Sequence, residues 1–97
     1  MINLKPEYAE ILRGIFTYYC PKAEIKAYGS RVNGDSHDGS DLDLVVIAFN
    51  DKEKNIYTLR QLINDSNVPF LVDIHEYKYL PESFKKEIDK IAVPFFP

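Results

Sequence analysis

The chain has no tryptophan, one cysteine and one methionine among its 97 residues. A lone thiol, Cys20, has no partner for an internal disulfide, which points to the cytoplasm. No apolar run approaches the roughly 20 residues needed to cross a bilayer as a helix, so no membrane partner is expected. The opening Met-Ile-Asn-Leu-Lys-Pro-Glu-Tyr has no basic stretch followed by an apolar one and is not read as a signal peptide. Positive charge is not in excess either: 12 lysines and arginines against 15 aspartates and glutamates leave −3. Non-specific nucleic-acid binders carry a basic patch, whereas these lysines are scattered, so nucleic acid is not expected as the main ligand. Repeats, low-complexity segments and linkers are absent, and the length suits one small domain over residues 1–97.

What is present is enough apolar material to fold. Hydrophobic residues make up 45% of the chain, which favours a globule over disorder. A domain of this size buries roughly 60–65% of the surface its unfolded chain exposes. The core is therefore thin, and a protein partner in a hetero-oligomer would add to it.

The spacing predicts a helix over 6–19, where Tyr8, Ile11, Leu12, Ile15, Phe16 and Tyr19 share one face, Pro6 suits the first turn and Pro21 lies beyond the end. Residues 23–28 read as a strand running into Gly29, 30–33 as a short helix stopped by Gly34, and 35–40 as a polar loop. The clearest strand is 41–49, apolar and β-branched enough to be buried on both faces. A helix is expected over 51–65, with Asp51 near its start, a third strand over 70–76 and a last helix over 81–91. The tail Val93-Pro94-Phe95-Phe96-Pro97 is apolar and cannot be helical through its prolines. It is left between packing on its own core and meeting a partner. Helices alternating with three strands imply an α/β layered domain with a small sheet.

One segment carries chemistry. Residues 29–44 read Gly-Ser-Arg-Val-Asn-Gly-Asp-Ser-His-Asp-Gly-Ser-Asp-Leu-Asp-Leu. A Gly-Ser turn lets a phosphate approach backbone N–H groups closely. Asp41 and Asp43, two apart on a strand, project from the same face. Asp73, between Val72 and Ile74 on the third strand, is costly to bury unless its charge is compensated. If the two strands are neighbours, three carboxylates converge and call for cations, with magnesium the natural choice beside a triphosphate. Two such ions about 3.5–4 Å apart clamp the attacking and leaving oxygens of an in-line phosphoryl displacement. On this reading Asp41 and Asp43 bridge both ions, while Asp73 holds the one that activates the attacking hydroxyl and accepts its proton. Gly29 and Ser30 cradle the β- and γ-phosphates, and Arg31 adds charge to them.

Gly29-Ser30-Arg31-Val32-Asn33-Gly34, with Ser40-Asp41-Leu42-Asp43-Leu44 and Asp73, resembles the nucleotidyltransferase superfamily that includes DNA polymerase β. More closely it resembles the minimal nucleotidyltransferases, short catalytic domains often encoded beside a HEPN-domain protein as a toxin–antitoxin pair. The likeness spans nearly the whole chain. It implies an α+β core with a small mixed sheet of three to four strands flanked by helices. It also implies catalytic, magnesium-binding roles for Asp41, Asp43 and Asp73, and a nucleotide-binding role for Gly29 and Ser30, with Arg31 and Ser40 counted in the same set. The activity implied is transfer of AMP from ATP to a tyrosine of the HEPN toxin, which silences it. Where the family often has a small residue and then arginine before the second glycine, this chain has Val32 and Asn33. That missing positive charge supports the alternative of an antitoxin that acts by binding alone. Transfer to a small molecule is a third reading, although such enzymes usually carry an extra helical domain.

Other residues have plainer expectations. His37 reads as an exposed loop histidine, and Asp35 and Asp38 as loop-turn residues. His75, on the face of Asp73, is either structural or placed behind the metal site. Cys20 reads as an inert thiol, Tyr8 and Tyr19 as core, and Tyr77 and Tyr79 as exposed.

Overall fold

The apolar, β-branched run expected as a strand forms an inner strand of the sheet. In the computed structural model, which describes residues 2–37 and 39–97, β1 (Glu24–Tyr28), β2 (Leu42–Ala48), β3 (Val72–Glu76) and β4 (Val93–Phe96) form one sheet in the order β3-β2-β1-β4. β1 runs antiparallel to β2 and to β4, while β2 and β3 are parallel. Parallel neighbours need a crossover, and α3 (Ile56–Asn64) supplies it. The sheet is therefore mixed and flanked by helices, as the family resemblance implies.

Each face of the sheet has its own cover. Leu42, Leu44 and Val46 of β2 join Ile25 and Ala27 of β1 and Ile74 of β3 against Leu12 and Phe16 of α1 (Pro6–Tyr19) and Ile56, Leu59 and Ile63 of α3. Val45 and Tyr28 face the other way, onto Ile88 of α4 (Glu82–Ile91), with Phe84 edge-on to Tyr28 at 5.6 Å. Burying each of these large side chains contributes about 1.5–3 kcal/mol. β2 is buried on both faces, as its composition predicts.

β2 and β3 are shorter than expected, spanning Leu42–Ala48 and Val72–Glu76, and two elements differ more. α3 begins at Ile56 rather than 51, because Asn55 is its cap: Oδ1 of Asn55 accepts from the N–H of Thr58 at 2.9 Å. Asp51 instead closes a turn of its own, its Oδ1 accepting from the N–H of Glu53 at 3.0 Å. The C-terminal tail is a fourth strand. Pro94 is tolerated because β4 lies at the sheet edge, and Phe95 and Phe96 pack edge-on against Phe16 with ring centroids 6.1 and 5.4 Å apart. The tail belongs to the core.

Cys20 is fully buried, and burial pushes its thiol up to about 11, which makes it inert. Tyr8 packs on Phe70, and the Tyr19 hydroxyl accepts from the N–H of Asn55. Tyr79 is exposed, but Tyr77 is half-buried and donates to Asp89 at 2.9 Å.

Candidate active site

β1 ends at Tyr28, and the chain must turn sharply to start α2 (Ser30–Asn33). Gly29 makes that turn with φ 82°, in the left-handed region that glycine adopts without penalty. Space demands glycine as well: a Cβ there would collide with the carboxylate of Asp43. Gly34, at φ 94°, stops α2 as expected. The Gly-Ser turn and the second aspartate of the Asp-x-Asp pair are thus in direct apposition.

The parallel pairing of β2 and β3 brings the next residue in. Asp43 and Asp73 are partners in register, so both project from the sheet face that carries Val45. Tyr28 is the partner of Asp43 on the other side. Asp41 stands exposed, one residue ahead of β2. α4 covers this face around Val45 and Tyr28, and the carboxylates lie at the N-terminal end of β2, where Asp43 and Asp73 are half-buried.

The electrostatics record this crowding. Burial first, then the charges of Asp73 and Asp41, raise the proton affinity of Asp43, and His75 partly opposes them. Burial, with Asp43 and Asp73 nearby, pushes the Tyr28 hydroxyl up to about 12. One oxygen of Asp73 lies 2.8 Å from Nε2 of His75. Among the described residues no three His, Cys, Asp or Glu side chains gather into a ready-made metal cage.

Arg31 is held by contacts within the protein. Its side chain is buried. Nε and Nη2 donate to the carbonyl of Ser40 at 3.0 and 2.8 Å, Nη1 donates to the carbonyl of Asn3 at 2.8 Å, and the guanidinium stacks on Phe70. Arg31 therefore ties the N-terminal segment and the loop before Asp41 to α2. Ser40 is held in that loop too: its hydroxyl accepts from the N–H of His37 at 2.9 Å, and its own N–H donates to the His37 carbonyl. Both residues shape the approach to Asp41 through the backbone. His37 is exposed, its Nδ1 accepting from the N–H of Gly39. Asp35 is exposed in the same loop, and Asp38 lies outside the described residues.

Two residues join the site that sequence reasoning did not place there. Tyr28 enters through the β1–β2 register and Arg60 through His75, with Nη2 of Arg60 3.3 Å from Nδ1 of His75. Neither has a local signal, because each depends on which strand or helix lies next to which. Among the described residues no helix is long and apolar enough to cross a membrane.

The chain is similar to known proteins in sequence and in fold. The chain is 29% identical over 97 residues to a probable protein adenylyltransferase MntA of Haemophilus influenzae, covering 95% of this chain and 82% of that protein. Its fold superposes with a TM-score of 0.71, at 22% identity, on a crystal structure described as a toxin–antitoxin with AMP-PNP, covering 91% of this chain and 72% of that one. Residues 19–96 match the family of polymerase beta nucleotidyltransferases. That match takes in the glycine turn, β2 with its aspartates, and β3, and the chain belongs to the polymerase β nucleotidyltransferase family.

Proposed function

We propose that this nucleotidyltransferase is an antitoxin that moves AMP from ATP to a tyrosine hydroxyl of a HEPN-domain toxin, with magnesium. The observation that carries the reading is the register pairing of Asp43 with Asp73 beside the Gly29 turn. A carboxylate pair next to a phosphate-accommodating turn suits a charged nucleotide. The adenylyltransferase named among its relatives supports a protein acceptor. The toxin–antitoxin with AMP-PNP supports a toxin partner and an adenine triphosphate. The HEPN partner and the tyrosine acceptor follow from the resemblance carried by the motif.

The residues fit magnesium by their chemistry. Magnesium is commonly held by one or two carboxylates together with waters and substrate phosphates, rather than by an all-protein cage. Asp41 and Asp43, with Asp73 opposite, offer hard oxygen donors and crowded negative charge that His75 only partly offsets. When bound, the ion neutralises the triphosphate and the charge that develops on the reacting oxygens. The protein's own contribution is positioning. Gly29 and Ser30 accommodate the phosphates, and Arg31 holds the loop that presents Asp41. Asp73 accepts the proton of the attacking hydroxyl. The hydroxyl oxygen bonds to the α-phosphorus, the bond from that phosphorus to the bridging oxygen breaks, and pyrophosphate leaves.

Incubation with α-labelled ATP, magnesium and the HEPN partner tests this. Label should move to the partner. The double variant Asp41→Asn, Asp43→Asn should lose transfer while keeping a wild-type circular dichroism spectrum, and full transfer by that variant would falsify the mechanism. A second reading, neutralisation by contact alone, has one observation in its favour: Arg31 is turned inward and positions 32 and 33 carry no cation. A stable complex with no label on either chain would establish it instead.

A further inference from the structure

Arg60 of α3 reaches the outer edge of β3, the last strand on that side of the sheet. Its Nε and Nη2 both donate to the carbonyl of Ile74, at 3.1 and 2.8 Å. That caps an acceptor on a strand edge. The same Nη2 lies 3.3 Å from Nδ1 of His75. A guanidinium has donors and no acceptor, so Nδ1 takes part through its lone pair. The ring proton then sits on Nε2. Nε2 is 2.8 Å from Oδ1 of Asp73 and donates to it. The roles are consistent from end to end: Arg60 donates to His75, and His75 donates to Asp73.

We propose that His75 is the positioning residue of Asp73, and that Arg60 fixes the tautomer His75 needs for that task. The inference rests on the reading of Asp73 as proton acceptor given above. Asp73 needs such a tether, since it lies on an edge strand with 48% of its side chain exposed. A half-exposed carboxylate otherwise samples several rotamers, and it faces repulsion from Asp43. A hydrogen bond to one oxygen selects one rotamer and leaves the second oxygen for the reaction. Which nitrogen of a histidine carries the proton is set by the bond its other nitrogen makes, and here that bond comes from a different element of the fold.

The experiment has two arms, both at one fixed pH. In the first, long-range ¹H–¹⁵N correlation spectra of the labelled protein report the His75 tautomer, and ¹³C spectra report the Asp73 carboxyl. Wild type should show protonated Nε2 and bare Nδ1. Arg60→Met should lose that preference. His75→Leu should shift the Asp73 carboxyl resonance, and His75→Gln, whose amide N–H stands close to the place of Nε2–H, should restore it. A wild-type spectrum with the proton on Nδ1, or an Asp73 resonance indifferent to His75→Leu, overturns the proposal. In the second arm, AMP transfer is measured. His75→Leu should lower kcat about 10–100-fold and leave KM for ATP within about twofold, and His75→Gln should recover most of the loss. Equal loss in both variants overturns the positioning role. Absence of transfer by the wild-type protein defeats the functional reading instead, and the spectroscopic arm still decides the contact.

Discussion

Asp43 holds its place at the expense of stability, and Asp43→Asn should make the protein more stable. The substitution keeps the shape of the side chain, so the packing against Gly29 survives. It removes a half-buried charge that stands in register with Asp73 and is repelled by both Asp73 and Asp41. Cross-strand side-chain pairs are worth about 0.2–1 kcal/mol each, and like charges directly opposite are destabilising. For a domain of this length each kcal/mol moves the melting temperature by about 4–8 °C, so the expected gain is about 1–8 °C at pH 7. The pH dependence has a definite sign. The folded state raises the proton affinity of Asp43 above its unfolded value. The native protein therefore binds that proton more tightly than the unfolded chain does, and this group's contribution becomes less favourable as pH rises through the carboxylate range. The advantage of Asp43→Asn should be full at neutral pH and should vanish near pH 3, where aspartate is protonated in both states. Salt should shrink it as well, because half-exposed charges are screened. Thermal melts of both proteins at pH 7 and pH 3, in low and high salt, test the argument. A variant that melts below wild type at pH 7, or one whose gain persists unchanged at pH 3, refutes it. A gain in stability with a loss of transfer is what a functional site predicts.

Two further substitutions probe the frame around the site. Arg31→Lys keeps the charge but cannot reproduce the planar contacts to the carbonyls of Ser40 and Asn3. It should cost about 1–3 kcal/mol in urea unfolding, and wild-type stability would show that the guanidinium does not tie the loop down. Phe95→Ala removes a buried ring that packs edge-on against Phe16 and under Arg13. It should cost about 3–5 kcal/mol, a large share of the stability of so small a domain. An unfolding midpoint unchanged from wild type would mean that β4 contributes little to the core.

The chain taken alone determined the local pieces. Apolar spacing marked α1 and α4, β-branching marked β2 as doubly buried, Gly34 marked the end of α2, and the glycine turn with its alternating aspartates marked the chemistry. These features act over a few residues, through periodicity and backbone freedom. Capping already strained this reach: Asn55 rather than Asp51 starts α3, because the cap depends on which side chain meets the N–H of Thr58. The tail was legible as apolar and non-helical, yet only the open edge of β1 made it a strand. The same limit governs the site. Which carboxylate faces Asp43 is a matter of register between strands separated by a whole crossover. The tertiary structure also turned Arg31 inward and brought Arg60 to His75. Proximity in space between residues far apart in sequence is settled by how the layers pack, and no short stretch of sequence contains that information.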